Sequence, residues 1–68
     1  MTATEIKRKQ IGHFTTIVCQ IEETFMNNYS VLVYNEEGND VWIERFAPTF
    51  QKAQEIGEKL FSKVINQY

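Results

Sequence analysis

Cys19 and His13 are the residues here whose side chains could supply a nucleophile and a base near neutral pH, and the chain has one of each. A catalytic Cys/His pair needs the imidazole within hydrogen-bond reach of a partly exposed thiol, so that the thiolate can form. The spacing works against this. Both residues fall in one β-rich run, His13 to Glu22, and six extended residues separate side chains by about 20 Å. Mid-strand, Cys19 reads as a small buried apolar residue.

The carboxylates suggest no better constellation. Glu22 and Glu23 precede a connection, Glu36, Glu37 and Asp40 surround a turn, and Glu44 sits mid-strand. A metal site requires donors that converge, and an acidic turn is more simply a solvated hairpin tip. The three glycines are isolated, so no phosphate-binding loop is present. We therefore expect no catalytic residue, no metal ligand, no cofactor and no small-molecule substrate, and hence not an enzyme.

Lys7, Arg8 and Lys9 form the one basic cluster. Facing phosphates together, with Lys52 as a further contact, they would give a salt-sensitive affinity for nucleic acid that does not depend on sequence. The overall charge is −2, whereas a nucleic-acid binder more often carries a basic excess. Nucleic-acid binding is accordingly the alternative reading.

With 68 residues, the chain is one small domain that buries only about 60% of the surface its unfolded form exposes. Domains of this size often rely on disulfides, metals or a second subunit. One cysteine and one histidine leave self-association as the natural support. A lone cysteine, no leader and no apolar run long enough to span a bilayer suggest a cytoplasmic chain without membrane contact.

The elements that must position these residues follow from periodicity. HFTTIVCQIE, His13 to Glu22, reads as a strand with Ile17, Cys19 and Ile21 on one face. Phe25 and Met26 follow in a connection expected to fold back over the core edge. Tyr29 to Asn35 is the second strand and Val41 to Phe46 the third, joined by Asn35-Glu36-Glu37-Gly38. A three-residue loop with a glycine bulge would set Asn35 across from Asn39, Leu32 across from Trp42, and Val33 across from Val41.

Thr49 to Tyr68 then reads as an amphipathic helix, with Ala53, Ile56, Gly57, Leu60, Phe61, Val64 and Tyr68 forming its apolar stripe. Pro48 disfavours helix at Ala47, and Thr49 is a suitable cap. Residues 1–12 are a basic arm or a short helix, and 13–68 a single domain. The expected class is α+β, a three-stranded antiparallel meander with the C-terminal helix on one face, in β-β-β-α or α-β-β-β-α order.

The latter order resembles the layout of double-stranded-RNA-binding domains. The opening turn of the long helix, Thr49-Phe50-Gln51-Lys52, departs from that family by offering one cation where it shows a lysine cluster.

With the helix on the odd-numbered face, the even face presents Val18, Leu32, Tyr34, Trp42 and Phe46. An exposed apolar and aromatic surface of that kind marks an interaction site. The expected function is a non-enzymatic protein-interaction or regulatory domain, acting as a homodimer or docked on a larger protein through those five residues.

Overall fold

The computed structural model describes residues 3–38 and 40–68, the side chains of 40–42 excepted. Four strands precede one helix: β1 Ala3–Gly12, β2 Thr15–Glu23, β3 Tyr29–Asn35, β4 Asp40–Ala47 and α1 Phe50–Ile65. The strands form an antiparallel sheet in the order β1-β2-β3-β4. The chain is thus α+β with a C-terminal helix, as the periodicity suggests, but the sheet has four strands, not three.

The additional strand corrects the reading of residues 1–12 as an arm or short helix. It also removes the likeness to a double-stranded-RNA-binding layout, because a strand stands where that layout has its first helix. Two bulges explain why β1 is hard to recognise. Ile6 and Ile11 are five residues apart, so on a regular strand they would point to opposite faces. The β1–β2 register slips between Glu5 and Lys7 and again between Gln10 and Gly12, which leaves each isoleucine as the extra residue of a bulge. Both consequently pack against the core on the helix side.

The core lies between that side of the sheet and α1. Ile17, Cys19 and Ile21 of β2, Val31 and Val33 of β3, and Ala47 are buried against Ala53, Phe61 and Val64 of the helix. Each fully buried isoleucine or valine contributes about 1.5–3 kcal/mol relative to exposure. Thr49 caps the helix from extended backbone, its Oγ1 accepting the Lys52 N–H at 3.1 Å. The helix is shorter than the expected Thr49 to Tyr68. It ends at Ile65 with Asn66 as C-cap, so Tyr68 lies beyond the stripe.

The β3–β4 register also differs from expectation. Asn35 pairs with Asp40, not Asn39, and Leu32 faces Glu44, not Trp42. Val33 pairs with Ile43 and Tyr34 with Val41, which makes Trp42 the extra residue of a bulge. This moves Val41 from the row of Val33 to that of Tyr34. Asn39 and the Trp42 side chain lie outside the described residues.

Candidate functional site

Pairing across all four strands sorts the helix-free face into rows. Ala3, Glu22, Ser30 and Phe46 lie side by side; the next row is Glu5, Gln20, Leu32 and Glu44; a third aligns Arg8, Val18, Tyr34 and Val41. Gln10 and Thr16 follow.

This face is less open than its composition suggests. Val18, expected to be a contact residue, is 0% exposed. Its neighbours across the strands are Arg8 and Tyr34, long side chains able to lie over a short one. Leu32 and Tyr34 are half-buried. The polar groups satisfy one another: the Tyr34 hydroxyl donates to Gln20 Oε1 at 3.3 Å, Ser30 Oγ to Glu44 Oε2 at 3.0 Å, and Thr16 Oγ1 to Glu37 Oε1 at 3.2 Å. Of the five expected contact residues, Phe46 is the one clearly open, at 60%, and Trp42 falls outside the described side chains.

Arg8 closes the far end of the face. Its guanidinium donates two hydrogen bonds to Glu5, at 3.0 and 2.9 Å, and two to Glu36, at 2.8 and 3.0 Å. Such bidentate pairs fix the guanidinium plane. Hydrogen bonding from Arg8 holds both carboxyls below their ordinary range. Arg8 is therefore committed to a link between β1 and the β3–β4 turn.

Two strongly exposed apolar residues stand in the β2–β3 turn. Phe25 and Met26, 87% and 81% exposed, project from the β2–β3 turn and do not fold over the core edge. The turn itself is tied down. The Thr24 N–H donates to the Asn28 carbonyl at 2.9 Å, the Thr24 hydroxyl donates to Asn28 Oδ1, and the Met26 N–H donates to Thr24 Oγ1 at 3.2 Å. Asn27 takes a positive φ of 58°, a conformation asparagine tolerates better than most residues.

The Phe25 and Met26 side chains are left to solvent. Phe46 faces Ser30, two residues beyond Asn28, which puts the two strand positions within about 10 Å of each other. Phe25, Met26 and Phe46 thus stand together at the β2–β3 end of the sheet, whereas Phe14, 84% exposed, stands apart in the β1–β2 turn. The sequence signal was available in Thr24 and Asn28, a side-chain pair suited to closing a turn by itself.

The remaining candidates separate. Cys19 is buried beneath the helix, and burial pushes its thiol up to about 11, with Glu58 adding to the shift; His13 is exposed in the β1–β2 turn. Strand alternation divides the basic cluster. Lys7 and Lys9 pair with Cys19 and Ile17 on the helix side, and Arg8 pairs with Val18 on the other. Lys7 and Lys9 edge a shallow groove floored by Phe61 and Ile65, while Lys52 lies on the first turn of α1, 3.7 Å from Glu55.

No family model, curated protein or solved structure matches the chain. Among the described residues, no three His, Cys, Asp or Glu side chains come together as a metal site would require, and no helix is long and apolar enough to cross a membrane.

Proposed function

We propose that this chain is a non-enzymatic binding module that docks on another protein through the β2–β3 end of its helix-free face. The observation that carries this is the Phe25–Met26 turn. Three internal hydrogen bonds hold its backbone while both large apolar side chains stay more than four-fifths exposed. Presenting them in a fixed geometry lowers the ordering cost of binding. Phe46 extends the surface onto the sheet, and Leu32 and Tyr34 form its half-buried margin.

A heterologous partner fits better than a homodimer. Face-to-face pairing of two copies would oppose Glu5, Glu22 and Glu44 to the same residues of the second copy, with Arg8 already committed. The nucleic-acid alternative loses support because Arg8 lies on the opposite side of the sheet from Lys7, Lys9 and Lys52 and is already paired with Glu5 and Glu36.

Affinity retention tests the reading. Proteins held by the immobilised chain and by a Lys59→Ser control should be lost with a Phe25→Ser/Met26→Ser variant and reduced with Phe46→Ser. Equal retention by all four would overturn it.

A further inference from the structure

The charges around the docking surface are distributed unevenly, and the unevenness selects a partner. Glu5, Glu22 and Glu44 lie on the helix-free face by register. Glu36 is tied to this face by Arg8 and Glu37 by Thr16. Among the described residues, Arg8 is the one cation there, held between Glu5 and Glu36.

The other six cations lie elsewhere. Lys7, Lys9 and Arg45 belong to rows of the helix side, and Lys52, Lys59 and Lys63 belong to α1. The sheet therefore separates an acidic face from a face rich in cations. Phe46 lies on the acidic face by register, and Phe25 and Met26 stand in the turn at its β2–β3 end.

We infer that the occupant of this surface is a cationic protein segment, one that places apolar side chains against Phe25, Met26 and Phe46 and Lys or Arg residues beside Glu22 and Glu44. The inference rests on the docking reading above and adds the chemistry of the partner. Apolar contact at a rigid turn supplies the anchor, and opposite charge at the rim steers the approach and discriminates among partners. The acidic face disfavours a second copy of itself, nucleic acid and anionic lipid on the same ground. Among the described residues, no cation pairs with Glu22 or Glu44; Glu44 accepts from Ser30 Oγ, a bond that leaves its charge intact.

Two synthetic peptides, identical in their Leu and Phe residues but with Lys in one where the other has Glu, test this when titrated into the isotopically labelled chain by NMR. The Lys peptide should shift the backbone amides of Thr24 to Ser30 and Glu44 to Ala47, and sodium chloride should weaken it progressively. Glu22→Gln and Glu44→Gln should each weaken it roughly two- to fivefold, the range of an exposed ion pair.

No binding of the Lys peptide at millimolar concentration, or equal binding of both peptides at the same amides, would overturn the charge selection and leave the docking surface standing. Shifts confined to the groove beside Lys7 and Lys9, or binding indifferent to both Phe46→Ser and the Phe25→Ser/Met26→Ser pair, would overturn the inference and the docking reading together.

Discussion

Gly57 of the helix rests directly on Cys19 of the sheet: a Cβ at position 57 would lie 2.9 Å from the Cys19 Sγ, 3.0 Å from Ile6 Cδ1 and 3.3 Å from Val31 Cγ1. The close approach of α1 to β2 depends on that missing carbon. An alanine would gain about 0.8–1 kcal/mol of helix propensity but would overpack a buried site, which typically costs about 1–3 kcal/mol. Ile6 can yield at its flexible end, whereas Cys19 is enclosed. Gly57→Ala should therefore destabilise by about 1 kcal/mol in urea unfolding. Combined with Cys19→Ala, which removes the nearest atom, the same change should cost less than it does alone.

The same enclosure makes the thiol inert. With its pKa pushed up to about 11 and no exposure, Cys19 should resist a disulfide reagent at pH 8 in the native chain and react fully in denaturant. Rapid native labelling would show that α1 lifts from the sheet.

Arg8 predicts an acid response. Glu5 and Glu36 are both held below their ordinary carboxyl value by hydrogen bonds from Arg8. Their contribution is thus fully present above that value and is lost as pH falls through the lowered folded-state values. Arg8→Met keeps a long apolar stem beside Val18 but cannot bind the carboxylates. Its stability should fall below wild type at pH 7, with the gap closing below about pH 4. A gap independent of pH would assign the loss to packing over Val18 instead.

Asn27 sets the shape of the docking turn. At φ 58°, glycine is accommodated without strain, whereas a β-branched residue pays roughly 1–2 kcal/mol. Asn27→Gly should leave stability nearly unchanged and Asn27→Val should lower it by about 1 kcal/mol in thermal or urea unfolding. Only the valine variant should also disturb the amide signals of Phe25 and Met26.

The parts of the molecule legible in its sequence are those where side-chain alternation is unbroken. Ile17, Cys19 and Ile21 on β2 and Val31 and Val33 on β3 sort cleanly onto the helix side, and the stripe of α1 matches them. Bulges hide the rest. Those at Ile6 and Ile11 disguise β1 by breaking its two-residue period, and the one at Trp42 shifts the β3–β4 pairing.

Lys7, Arg8 and Lys9 read as one cluster along the chain, yet a strand sends neighbours to opposite faces. The face anticipated around Val18, Leu32, Tyr34 and Phe46 exists, but Arg8 and Tyr34 flank Val18, and exposure moves towards Phe46. Phe25 and Met26 were missed because apolar residues in a connection ordinarily fold inward; here Thr24 and Asn28 close the turn without them.

Site-specific photo-crosslinking in cells measures the docking surface most directly. With a benzophenone amino acid placed in turn at positions 25, 46 and 59, the account predicts a discrete protein adduct from positions 25 and 46 and none from position 59, on the solvent side of the helix. Adducts from position 59 alone, or from none of the three, would contradict it.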